Sequence, residues 1–138
     1  TVRTQQPAAE AFAYMADLRH FAEWDPGVKK VVQVKGDGAG AGAEFDVTVT
    51  GTTLRYVTEV YQPSAELVVV AKSRTLTSTD RVTVTADGDS TLVTYDALLE
   101  LNGVLRIADP VLRLAFGRIG DRAAAGLRRV LDGHDVPR

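Results

Sequence analysis

With 138 residues, 45% of them hydrophobic, the chain suits one globular domain, 1–138, around one core. Sixteen basic against eighteen acidic residues leave a formal net charge of -2, which gives no electrostatic reason to expect a nucleic-acid partner. Cysteine is absent, which excludes disulfides, thiolate catalysis and cysteine metal sites and fits a cytoplasmic location.

No apolar run approaches the roughly 20 residues that a membrane helix needs, so no membrane insertion is expected. The chain begins at Thr1, and a trimmed targeting segment stays open.

In chain order, Thr1 to Thr4 reads as a short strand. Pro7 to Ala16 reads as a helix, with proline at its first position, where a missing N–H costs nothing. Phe12, Met15 and Ala16 share one face. Asp17 can cap a second short helix over Leu18 to Glu23, and Pro26-Gly27 stops it.

From Val28 the period changes to two. VKKVVQVK is rich in β-branched residues, and EFDVTVT sets Phe45, Val47 and Val49 on one face against Asp46 and Thr48 on the other. TLRYVTEVY, ELVVVAKS, RVTVTA and TLVTYDALLEL continue in that style. Gly51, Gln62-Pro63-Ser64 and Asp87-Gly88-Asp89 punctuate them. About six consecutive strands with short links predict an antiparallel meander.

Asp109-Pro110 then opens a long helix. Leu112, Phe116, Ile119, Ala123, Leu127 and Val130 form one apolar stripe, and Asp132-Gly133 offers a stop.

The tract KGDGAGAG, Lys35 to Gly42, looks at first like a phosphate-binding loop. Such a loop needs a helix N-terminus directly behind it, where free N–H groups meet the anion. AEFDVTVT follows instead, with the period of a strand, and the lysine precedes the glycines. The tract is therefore expected to be a flexible hairpin loop, placed to gate a cavity.

Three stretches carry a family resemblance: FAYMADLRHFAEWDPGVKKV (Phe12 to Val31), VTEVYQP (Val57 to Pro63) and LELNGVLRIADPVLRLAFGRIGDRAAAGL (Leu99 to Leu127). With the element order they make the chain resemble the START-like, helix-grip superfamily, also called SRPBCC, in its polyketide cyclase/dehydrase branch. The resemblance implies an α+β fold. A curved antiparallel sheet of about seven strands wraps a long C-terminal helix, and two short helices follow the first strand. It also implies a pocket between sheet and helix. Members bind lipids, hormones, polyketides or quinones, and some cyclise or dehydrate polyketides. They share no catalytic motif that can be carried onto these residues.

The residues support a cavity independently. One helix covers only a strip of a long sheet, and the strands are furnished mostly with valine, alanine and threonine. The expected pocket lining is Trp24, Phe45, Val47, Tyr56, Val69, Asp80, Val82, Tyr95, Leu112, Phe116 and Ile119. Trp24 acts as a pocket wall, a core plug, or both. Tyr56 and Tyr95 lie on the apolar faces of their strands, where a buried hydroxyl needs a partner.

Asp80 shares a face with Leu76, Val82 and Val84 only if its strand extends that far. Inward, it would be an acid or base with a raised pKa. The preferred reading of TSTDR is a strand end or bulge, with Asp80 bonded to backbone or Arg81. Arg55 and Arg74 are expected to point outward.

His20 and His134 have no metal spacing, so no metal and no cofactor is expected, and His20 reads as a surface or helix-end residue. The arginines after Leu105 read as a solvated helix face. Gly117, Gly120 and Gly126 are anomalous in a helix, costing about 1 kcal/mol each, and imply close approach or ligand space.

Two functions follow. The preferred one is binding of a small hydrophobic molecule by a monomer or homodimer. The alternative is a polyketide cyclase or dehydratase that orients its substrate and uses Tyr56, Tyr95 or Asp80 for proton transfer.

Overall fold

A computed structural model describes residues 1–49, 51–73, 76–101 and 123–135. The elements are β1 (Val2–Thr4), α1 (Ala8–Ala16), a 3-10 turn (Leu18–His20), α2 (Phe21–Trp24), β2 (Val28–Lys35), β3 (Glu44–Val49), β4 (Thr52–Gln62), β5 (Glu66–Lys72), β6 (Leu76–Asp87) and β7 (Ser90–Leu101). A helix over 123–131, here α3, and the two-residue strand β8 (His134–Asp135) follow. Leu112, Phe116, Ile119, Arg74, Gly117 and Gly120 lie outside the described residues.

The strands form one sheet in the order β2-β3-β4-β5-β6-β7-β1-β8, with antiparallel neighbours throughout. Strands β2 to β7 are the expected meander. β1 joins its far side, so α1 and α2 carry the chain from one end of the sheet to the other. Cross-strand partners share a face. The pairs Phe45↔Tyr56, Val69↔Asp80 and Val82↔Tyr95 therefore place these residues on one inner surface, with Val47, Leu54, Leu67, Ala71 and Ser78. Phe12, Met15 and Ala16 of α1 are buried, and α1 packs on β6 and β7.

The glycine tract forms the β2–β3 hairpin loop. Gly36, Gly38 and Gly42 have φ of 86°, 82° and 79°, a region closed to most side chains. Gln33 clamps the loop: its Oε1 accepts from the Gly38 N–H at 2.8 Å and its Nε2 donates to the Gly38 carbonyl at 2.9 Å. No helix begins behind it, so the tract has no anion site of the phosphate-loop kind.

Two expectations change. Pro7 is the cap before α1 and not its first residue. The second helix divides into the 3-10 turn, capped by the Asp17 side chain, and α2. His134 sits in β8, paired with Arg3 of β1.

Gly126 explains one anomaly. A Cβ there would overlap the backbone carbonyl of Trp24, so glycine lets α3 lie directly on the end of α2. Arg129 strengthens that junction by donating to the Glu23 carbonyl at 2.6 Å.

The helix stop is subtler than Asp132-Gly133 suggests. Asp132 takes the left-handed conformation, φ 50°, and the N–H groups of Asp132 and Gly133 return to the carbonyls of Arg129 and Arg128. Gly133 is small for a different reason: a Cβ there would overlap the Arg3 carbonyl of β1.

Helix propensity alone predicts that Gly126→Ala gains about 1 kcal/mol. The clash reverses the sign, and a loss of about 2 kcal/mol or more is expected, read as a lower thermal midpoint. An unchanged or raised midpoint contradicts the close approach.

Candidate functional site

The inner surface carries a polar line inside an apolar field. Strand β6 buries Ser78, Asp80, Val82 and Val84 on alternate positions, so Asp80 lies well inside the strand. This corrects the expectation of a strand end or bulge at TSTDR. Asp80 does not bond Arg81, whose guanidinium reaches Glu66 at 3.5 Å. Only 3% of Asp80 is exposed. Its Oδ2 accepts from the Tyr95 hydroxyl at 2.8 Å and its Oδ1 from the Ser78 hydroxyl at 2.9 Å. Tyr56 donates to Ser78 at 3.3 Å, so four residues from β4, β6 and β7 form one connected array.

Aromatic rings frame the array. Phe21 stacks on Trp24 at 4.8 Å between ring centres, Trp24 meets Tyr95 edge-on at 5.2 Å, and Phe21 meets Tyr56 edge-on at 6.2 Å. α2 thus delivers two rings, and the sheet delivers two phenols. Arg55, as expected, lies outward, where it pairs with Asp46 at 2.6 Å. His20 ends the 3-10 turn, stacks on Tyr14 at 4.4 Å and bonds the Tyr14 carbonyl through Nδ1 at 2.9 Å. Among the described residues no group of three or more His, Asp or Glu side chains is arranged to hold a metal.

A cavity of about 20 Å³, room for one water molecule, opens against this array. Trp24, Val69, Asp80, Val82 and Tyr95 of the expected set line it. Phe45, Val47 and Tyr56 are buried on the same surface without lining this space. Met15, Leu18, Phe21 and Leu67 also line it, and the sequence reading had not placed them in the pocket. The signal for Met15 was present in the apolar face of α1. For Leu67 and Phe21 only the three-dimensional register supplies it.

Electrostatics follow from burial. Loss of water pushes the Asp80 carboxyl up from 3.8 to about 6, against the lowering effect of its bonds from Tyr95 and Ser78; the Asp25 charge pushes it further up. Desolvation also raises Asp25, which is stabilised by a 2.9 Å bond from the Gly27 N–H. Burial, then the Asp80 charge, raises both Tyr56 and Tyr95, so both phenols stay protonated as hydrogen-bond donors.

The folded state therefore holds the Asp80 proton more tightly than the unfolded chain. Its stabilising contribution is complete below about pH 3.8 and is lost as pH rises through about 6. Above that range the ionised, buried group costs on the order of 3 kcal/mol. Asp80→Asn is expected to raise the thermal midpoint at pH 7.5 and to leave it close to wild type at pH 4. A variant less stable than wild type at both pH values contradicts this.

Comparison with known proteins agrees with the architecture. Residues 1–132 match the family described as polyketide cyclase / dehydrase and lipid transport. No curated protein sequence matches the chain.

Among solved structures, the chain is similar to a START superfamily protein from Mycobacterium smegmatis, with 20% identity and a TM-score of 0.69, over 95% of this chain and 93% of that one. It is similar to major latex-like protein 151 from Panax ginseng, with 10% identity and a TM-score of 0.68, over 95% and 93%. It is also similar to the di-domain aromatase/cyclase StfQ of the steffimycin biosynthetic pathway, with 15% identity and a TM-score of 0.68, over 94% of this chain and 48% of that one. At these identities the likeness is one of fold. The fold is the helix-grip fold of its START-like neighbours, and the match runs over nearly the whole length: the chain belongs to the polyketide cyclase / dehydrase and lipid transport family.

Proposed function

We propose that this chain is a single ligand-binding domain, 1–138, that takes a small, mainly hydrophobic molecule with one polar end. One observation carries the reading: an apolar, aromatic-walled cavity has a buried carboxylate, Asp80, as its polar wall. The walls, Phe21, Trp24, Leu67, Val69 and Val82, reward apolar surface, and Asp80 with its hydroxyl partners orients the polar end. Lipids, polyketides and other aromatic or isoprenoid compounds have this character. The space that the described residues enclose takes one water, so binding widens it. The reading treats the domain as cytoplasmic and as a monomer or homodimer. Among the described residues no helix is long and apolar enough to cross a membrane.

A second reading has its own support in the 2.8 Å contact of the Tyr95 hydroxyl with Asp80. A cyclase or dehydratase of polyketide-like substrates would use Asp80 to remove a proton beside a ketone. A protonated phenol would hydrogen-bond the oxygen as it becomes an enolate. The same cavity would fold the chain into a reactive conformer.

Native mass spectrometry of protein purified from its own host is expected to show a bound apolar compound. The compound re-added at 100 times its dissociation constant should stabilise the apo-protein by about 2.7 kcal/mol. A ligand-free protein with no thermal shift across a lipid and aromatic panel contradicts binding. The enzymatic reading predicts that Asp80→Asn and Tyr95→Phe change the product profile without abolishing binding. An unchanged profile removes it.

A further inference from the structure

The site holds two buried acids. Asp80 is 3% exposed and Asp25 is 8% exposed. Among the described residues neither forms an ion pair. Buried charges in folded proteins are normally paired, because an isolated charge in an apolar setting loses its hydration without return. Asp80 accepts one hydrogen bond on each oxygen, from Ser78 and Tyr95, which leaves lone pairs on both.

The surroundings suit a cation of a particular kind. Phe21, Trp24 and Tyr95 wall the cavity, and ring faces attract organic cations. Among the described residues no group of three or more His, Asp or Glu side chains gathers here, as a cage for a hard metal ion would need. Thr58 adds an independent sign of an absent partner. It is the register partner of Val69, so it shares the cavity-side face of the sheet; it is 2% exposed, and among the described residues its hydroxyl has no hydrogen-bond partner.

From this geometry we infer that the polar end of the ligand is a protonated amine, seated on Asp80 within the ring walls, on a compound that carries a further polar group towards Thr58. This rests on the cavity reading above and narrows it from hydrophobic molecules in general to amphipathic amines.

The inference makes binding depend on pH in a definite direction. The titratable groups facing Asp80 are Tyr95 of β7, Tyr56 of β4 and Asp25 after α2. α1, the 3-10 turn, α2 and β5 present Met15, Leu18, Trp24 and Val69, which do not titrate. Both phenols stay protonated, and burial raises both acids, so the carboxyls are the groups here that change charge as the pH falls. Protonating Asp80, with its midpoint at about 6, removes the partner of the amine. A neutral ligand that accepts a hydrogen bond from the protonated acid shows the opposite trend.

The test uses two matched pairs, 2-phenylethylamine with 2-phenylethanol and n-octylamine with 1-octanol, titrated calorimetrically into the whole chain from pH 5 to pH 8. The amines remain protonated throughout, as a lysine does. At least one amine is expected to bind tenfold or more tightly than its alcohol at pH 7.5 and to lose about tenfold in affinity between pH 7 and pH 5. Asp80→Asn should bring that amine down to the affinity of its alcohol. An alcohol that binds as tightly as its amine, or an amine whose affinity is flat or rises on acidification, overturns the amine assignment and leaves the cavity reading standing. If no member of either pair binds, the cavity reading falls with it.

Discussion

The structure turns on a carboxylate placed where an aliphatic side chain would be more stable. Asp80 sits in the middle of the inner face, between Val69 and Ala97 in register, with almost no contact with water. A charge there is tolerable only if donors surround it, and two are provided by Ser78 on its own strand and Tyr95 on the next. Those bonds in turn fix other groups. Tyr95 held by Asp80 presents its ring to Trp24, and Ser78 receives Tyr56, whose ring meets Phe21. The aromatic wall and the polar array are thus one assembly, and the acid at its centre links them.

The assembly also needs α2 to stand at a set height above the sheet. Packing supplies this through backbone contact. Gly126 lets α3 rest on the Trp24 carbonyl, and the Thr4 hydroxyl bonds the Leu131 carbonyl at 2.5 Å, tying the end of α3 to β1. Gly133 then lets β8 cross the Arg3 carbonyl and pair with β1. Side-chain hydrogen bonds hold the acid while backbone proximity holds the rings.

Much of the architecture was legible in the chain. Strands such as EFDVTV announce themselves because one face is apolar and the other is not, and turn residues mark their ends. The same rule hid Asp80. In LTSTDRV the inward positions are partly polar, so the period-two signal weakens just where the strand is functionally most informative, and a strand end looked more natural. A hydrophobic pattern records burial only when burial is apolar; of the two bonds that make Asp80 acceptable, the one from Ser78 is local, but the one from Tyr95 comes from β7 and is not.

Gly126 shows the converse. Its oddness in a helix was visible, but the reason is the carbonyl of Trp24, distant in sequence. Asp132 and Gly133 divide two roles that one glycine often combines. The backbone turn falls to the aspartate, and the close approach to a neighbouring strand falls to the glycine.

The most direct test of the account is the titration of the Asp80 carboxyl carbon by 13C NMR in ligand-free protein. The account predicts a midpoint near 6, well above the ordinary 3.8, because burial excludes water from the carboxylate. A midpoint at or below 4 would mean that Asp80 is hydrated or already paired, and the central claim would be wrong.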